Sequence, residues 1–223
     1  IEQVGGAAHV PQVLYYWRVH EGSTSGGTDA KPYVAKAAKK ALPAGAKRAA
    51  LVTTASVGFK EKDYHVPWLR SELERLGLSV DFFDFDQQPA SRLFAYQVVE
   101  CIGGNPFYLV RRLREAHCKP YLQGLKSSGL LIGVSAGSLA MQESLELVDH
   151  FSPELRPQAG GGDFTGMGIT RVEILPHYHK YLPRFERFEE RTAAYEQASG
   201  RCVIRLDDGH GVLADETEQI EIL

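Results

Sequence analysis

The chain has 223 residues, enough for one well-buried α/β domain and few for two. With 43% hydrophobic and 24% charged residues it does not have a disordered composition, and a formal net charge of -3 leaves no electrostatic footprint for nucleic acid. No apolar run approaches the ~18 residues of a membrane-spanning helix, and the three cysteines (Cys101, Cys118 and Cys202) are odd in number and lack C-x-x-C spacing, which argues against a disulfide framework or structural zinc and for a reducing compartment, the cytoplasm.

Residues 1–30 are the least readable. Val13 to Val19 is aromatic and β-branched, as a strand is. The glycine-rich run from Glu21 to Asp29 reads as a loop, without the spacing of a Walker or dinucleotide-binding loop. Pro32 to Leu42 carries Val34, Ala37, Ala38 and Ala41 at helical spacing. Arg48 to Ala55 is a short, nearly all-apolar stretch, the pattern of a buried strand. A helix over Val66 to Leu76, stopped by Gly77, and a strand over Leu78 to Phe85 complete a βαβ unit, which predicts a parallel sheet.

Tyr96 to Ile102 is the next strand and ends in Gly103-Gly104-Asn105-Pro106. A helix over Phe107 to Leu125, interrupted at Pro120, leads to a strand over Leu130 to Val134. A helix from about Ser138 to Leu147 and a long loop over Ser152 to Gly168 follow. The alternation in Thr170 to Leu175 predicts a half-exposed strand, and Arg184 to Gln197 a charged, exposed helix. Arg201 to Leu206 reads as a strand. The sequence closes on a hairpin, Gly211 to Ala214 and Gln219 to Leu223, turning at 215–217.

The chemistry centres on Gly133-Val134-Ser135-Ala136-Gly137, a G-x-S-x-G sequence between a strand and a helix. In such an elbow the chain turns so sharply that only small neighbours fit. The serine stands at the tip, and the following N–H, here Ala136, faces a forming oxyanion. A glycine-rich turn without chemistry has the same five residues, so partners are needed. A serine hydroxyl needs a base, and of the eight histidines His177, just after a predicted strand, is the best placed. The base needs a carboxylate behind it. Asp208 at the next strand end is the first choice, with Asp207 beside it and Asp149 after the elbow helix as the runner-up. Gly104, where the backbone can approach a substrate, can supply a second oxyanion N–H, and Asn105 beside it a substrate contact. Gly103-Gly104-Asn105, Ser135, His177 and Asp207-Asp208 all fall just after predicted strands, where ligands bind in open parallel sheets.

Cys101 to Leu109, Gly133 to Ser138 and Pro176-His177-Tyr178 together resemble peptidase family S51, which includes the aspartyl dipeptidases (peptidase E) and the cyanophycinases. The resemblance covers about Lys47 to the C-terminus. It implies an α/β fold related to class I glutamine amidotransferases, a single-domain, flavodoxin-like three-layer sandwich over 1–223 with a mostly parallel sheet. It also implies Ser135 as nucleophile, His177 as base, and the backbone of Gly104 and Ala136 as oxyanion hole. A family acid in a Leu-Pro-Glu-Gly-like segment matches Leu206-Asp207-Asp208-Gly209, and one after the elbow helix matches Asp149. The sequence departs from the family pattern at Pro106, where threonine is usual, and the N-terminal region does not align cleanly.

Arg184, Arg187 and Arg191 are spaced to share a helical face. Interleaved Glu186, Glu189 and Glu190 make that a solvated face; alternatively, one arginine binds a substrate carboxylate, which suits the Asp-X substrates the resemblance suggests. The expectation is a serine peptidase acting on short peptides, dipeptides with an N-terminal Asp, through Ser135, His177 and Asp208 and an acyl-enzyme. It needs no metal or cofactor and involves no nucleic acid or membrane; a homodimer is entertained with no residue pattern behind it. The alternatives are an esterase, amidase or cyanophycinase-like hydrolase on the same elbow, and a catalytically silent binding protein of the same fold.

Overall fold

A computed structural model describes residues 12–16, 38–159, 163–215, 217 and 219–222. Its main sheet has seven strands in the order β3-β2-β4-β5-β1-β8-β9. These are β1 (Gln12–Tyr16), β2 (Arg48–Val52), β3 (Ser79–Phe83), β4 (Val98–Cys101), β5 (Leu130–Val134), β8 (Gly211–Asp215) and β9 (Ile220–Ile222). From β3 through β1 the pairing is parallel, as the βαβ reading requires; β8 runs antiparallel to β1 and forms the closing hairpin with β9.

The near-continuous apolar strands follow from burial on both faces. Leu130, Ile132 and Val134 of β5, with Ala49, Leu51 and Val98, meet Leu69 and Leu73 of helix α1 (Val66–Arg75) and Ala38 and Ala41 of helical residues 38–41. Leu131, Val99 and Cys101 on the opposite face meet Leu109 and Leu113 of α2 (Pro106–Glu115), Leu122 of α3 (Lys119–Ser128) and Leu139 of α4 (Ala136–Met141). The result is the three-layer α/β sandwich expected. Among the described residues no helix is long and apolar enough to cross a membrane. The loop read at 21–29 and the first part of the 32–42 helix lie outside the described residues.

Several elements differ from the sequence reading, each for a physical reason. The predicted 107–125 helix is interrupted as expected, into two helices, but not at Pro120 itself. The break falls before Pro120, at His117 with φ 50°, and Pro120 then sits in the first turn of α3, where its missing N–H costs nothing. The elbow helix starts at Ala136 and ends at Met141, and a separate α5 (Glu146–Phe151) follows. Met167 and Ile169 donate to the carbonyls of Ala140 and Met141, 2.9 Å each, and so take acceptors that a longer helix would use. The loop predicted at 152–168 contains a 3₁₀ turn over Pro153–Ala159.

The strand read as half-exposed, β6 (Glu173–Pro176), is buried throughout and pairs in parallel with β7 (Val203–Leu206) as a separate two-stranded sheet. Ile174 faces the main core, while Leu175 joins Phe151, Phe188 and Tyr195 in a second cluster, so both faces are covered. Its polar residue Glu173 is buried against the Tyr195 hydroxyl at 2.7 Å. The charged helix begins at Phe188 and not at Arg184: a one-turn α6 (Tyr178–Tyr181) and a turn through Pro183 precede α7 (Phe188–Ser199). Phe188, Thr192 and Tyr195 give α7 a buried face, with Phe188 packed on Phe151, Tyr178 and Tyr181.

Candidate active site

Ser135 stands between β5 and α4 with φ 49° and ψ -109°, outside the regions ordinary residues occupy. Its neighbours show why this turn can exist. A Cβ on Gly133 would lie 2.5 Å from the Ser138 Cα, and one on Gly137 would strike the Cys101 carbonyl oxygen at the end of β4. Larger side chains would push the helix off the sheet. The Ser138 hydroxyl donates to the Ser135 carbonyl at 2.6 Å and fixes the tip from behind.

The register Cys101↔Gly133 puts the exit of β4 beside the exit of β5. Gly104 therefore leaves its strand next to the elbow, with φ 135°. A Cβ here would strike the Ala55 carbonyl oxygen, and the next residue's N–H donates to that same oxygen at 2.9 Å. Only glycine fits. Asn105, proposed above as a substrate contact, is buried, and its side chain is occupied by structure. Its Oδ1 accepts from the Tyr108 N–H (3.1 Å) and caps α2, and its Nδ2 donates to the Leu155 carbonyl (2.8 Å). Pro106 occupies the first turn of α2, so the departure from threonine is compatible with the helix start.

His177 follows β6 in a left-handed conformation, φ 63° and ψ 29°, which turns its ring off the strand. Its Nε2 lies 3.1 Å from the Ser135 Oγ and its Nδ1 lies 2.9 Å from the Asp208 Oδ1. Although β6 and β7 belong to a second sheet, their carboxyl ends converge on the elbow. The competing acids are engaged elsewhere: Asp149 forms a bidentate pair with Arg156, and Asp207 accepts from the His179 N–H at 3.1 Å and pairs with its ring.

His177 is 8% exposed. Burial lowers its pKa below the ordinary histidine range, against the hydrogen bond and charge of Asp208, and the Lys180 cation lowers it further. A neutral ring whose Nδ1–H donates to Asp208 leaves Nε2 free to accept from Ser135. Burial works against the Asp208 carboxylate too, yet the hydrogen bond from His177 and the ion pair with Lys180 hold it below the ordinary range. Lys180, which the sequence reading did not single out, reaches the Asp208 Oδ2 at 2.6 Å. Its signal was the three-residue spacing from His177, one turn if the segment is helical.

The three arginines do not share one helical face. Arg184 lines an open cleft of about 470 Å³ with His177, Lys180, Tyr181 and Pro183. Arg187 precedes α7 and pairs with Glu190, and Arg191 donates to the His150 carbonyl and lies over the Phe151 ring. Arg191 lines a second cleft with Asp149 and Tyr195, of about 590 Å³, whose walls include none of Ser135, His177 or Asp208.

The sequence profile of peptidase family S51 matches residues 21–222. A peptidase E from Citrobacter koseri is 28% identical over 145 residues, which make up 63% of this chain and 61% of that relative's length. Among solved structures, a candidate peptidase E protein from Listeria monocytogenes EGD-e superposes with a TM-score of 0.70 at 15% identity, covering 96% of this chain and 98% of the other. A peptidase from an acI-B1 Actinobacterium gives 0.63 at 17% identity, covering 96% and 87%. At these identities the two structures speak to the fold alone.

Proposed function

This chain belongs to peptidase family S51, and we propose that it hydrolyses short peptides by a serine mechanism, with Ser135 as nucleophile, His177 as general base and acid, and Asp208 behind it. The observation that carries this reading is the unbroken line from the Ser135 Oγ through both nitrogens of His177 to Asp208, at 3.1 and 2.9 Å. In it the Ser135 oxygen attacks the scissile carbonyl carbon while His177 Nε2 takes the hydroxyl proton. The carbonyl oxygen becomes an oxyanion, held by the N–H groups of Ala136 and Gly104. The tetrahedral species collapses, the C–N bond breaks, and His177 returns the proton to the departing amine. Water, deprotonated by the same nitrogen, then attacks the acyl-Ser135 ester; the C–O bond to Ser135 breaks, His177 returns the proton to the Ser135 Oγ, and the acid is released.

For specificity we assign Arg184 to an acidic group of the substrate, because it shares the cleft wall with His177. Arg187 and Arg191 are engaged elsewhere. A dipeptide with an N-terminal Asp offers a carboxylate that the guanidinium fork can take in two hydrogen bonds. The test compares wild type with Ser135→Ala on Asp-X, Glu-X and Ala-X dipeptides. Asp-X turnover that falls on the order of 10⁴-fold in the variant is expected. Equal turnover by both proteins overturns the mechanism. Equal wild-type rates across the panel, abolished in the variant, overturn only the acidic preference. A serine-directed fluorophosphonate should label Ser135, and failure to do so would favour a silent binding protein.

A further inference from the structure

We propose that Lys180 is a positioning residue of this site, holding the Asp208 carboxylate by one oxygen so that the other stays aimed at His177. The proposal rests on the peptidase reading above. The Lys180 N–H donates to the His177 carbonyl at 3.0 Å, so the two residues share one hydrogen-bonded turn. From that turn the Lys180 Nζ reaches the Asp208 Oδ2 at 2.6 Å, and the Asp208 Oδ1 returns to the His177 Nδ1 at 2.9 Å. The contacts close a ring: backbone of His177, side chain of Lys180, carboxylate of Asp208, imidazole of His177.

The surroundings make this ring matter. The Asp208 side chain is 9% exposed, so water is a poor substitute for a lost partner. A carboxylate held on one oxygen can turn about its χ2 bond; held on both, it cannot. Of the neighbouring charges, Asp207 is taken by His179. Arg184 and Glu154 act on Tyr181, next to Lys180 on the same turn, and Tyr181 lies beside the His177 ring with centroids 5.6 Å apart. Lys180 is thus the cation seated directly on the carboxylate. Its charge both keeps Asp208 ionised and opposes protonation of His177.

Removing that charge leaves Asp208 with His177 as its main partner and lifts a like-charge repulsion from the imidazolium, so His177 takes a proton at higher pH. The experiment is the pH profile of kcat/KM on an Asp-X dipeptide for wild type, Lys180→Met and Lys180→Arg in the full chain. The His177 ring proton is titrated by NMR in parallel. For Lys180→Met we expect the acid limb to move up by about half a pH unit or more, kcat to fall roughly tenfold or more, and KM to hold. Lys180→Arg should restore most of both. A Lys180→Met profile superimposable on wild type overturns the proposal. So does an NMR titration of His177 unshifted in Lys180→Gln, the variant to use if Lys180→Met does not fold. Ser135→Ala separates the two readings: hydrolysis surviving in it sinks the peptidase mechanism. Its loss, with an unchanged Lys180→Met profile, sinks only the role of Lys180.

Discussion

At the scale of single residues, the site is a competition among acids for one histidine. Asp149 and Asp208 were both legible candidates, and the structure gives them different partners. Replacing Asp208 by Asn keeps the shape but removes the charge that stabilises the imidazolium, so kcat should fall on the order of 10³- to 10⁴-fold. Replacing Asp149 by Asn loosens the pair with Arg156 and should leave kcat roughly within threefold of wild type. Steady-state kinetics of the two variants decide between the acids, and a larger loss in Asp149→Asn would reverse the assignment. The depressed pKa of His177 has a kinetic sign as well. A base that sheds its proton below the ordinary value of 6.5 is already neutral at pH 7, so kcat/KM should rise along an acid limb centred below 6.5 and be flat above it. A limb centred above 6.5 would contradict the burial argument. Ser135 and His177 were readable because each is marked locally, by small neighbours and by a strand end. Lys180 was not, because its three-residue spacing from His177 means one turn only if the segment is helical, which the sequence does not mark. Only the fold of α6 and the approach of β7 bring it to Asp208.

At the scale of elements, the site is made by strand exits. The β4 and β5 exits are adjacent because their register is fixed by the buried apolar strands, and glycines let the backbones close on each other there. Gly104→Ala tests this. The substitution puts a Cβ against the Ala55 carbonyl at a φ of 135°, so we expect a loss of about 2 kcal/mol or more in stability. Activity should fall further than partial unfolding explains, read by chemical denaturation alongside kinetics. Wild-type stability in this variant would mean that the loop is free to move away. The main-sheet strands were predictable, since short apolar runs between turn signals have few other uses. The breaks at Met141 and before Phe188 were not. Each depends on a distant segment: residues 167–170 take the carbonyls at the end of α4, and the aromatic cluster around Phe151 and Phe188 redirects the chain before α7. The three arginines fell out of phase for the same reason.

At the scale of the whole molecule, the sheet carries a price in its core. Glu100 of β4 is 1% exposed, and among the described residues neither of its carboxylate oxygens has a hydrogen-bond partner. Burial, reinforced by the Glu72 carboxylate, raises its pKa to about 8. Its folded value lies above its unfolded one, so its stabilising contribution is complete below about 4.5 and is lost as pH rises towards 8. Thermal melts of Glu100→Gln should therefore gain on wild type across that window and hold the gain above it. Parallel curves from pH 5 to 9 would show that Glu100 ionises at its ordinary value. By itself, the sequence determined the three-layer α/β class, the elbow and its serine, and the histidine after a strand. These rest on local constraints: apolar periodicity, the size limit at a sharp turn, and proline and glycine geometry. Tertiary structure alone decided that β6 and β7 form their own sheet and that Asp208, not Asp149, meets His177. It likewise decided that Lys180 closes the ring and that one arginine of three lines the cleft. Those outcomes depend on distances between segments far apart in the chain, set by the packing of two cores against each other, and no local pattern encodes such a distance.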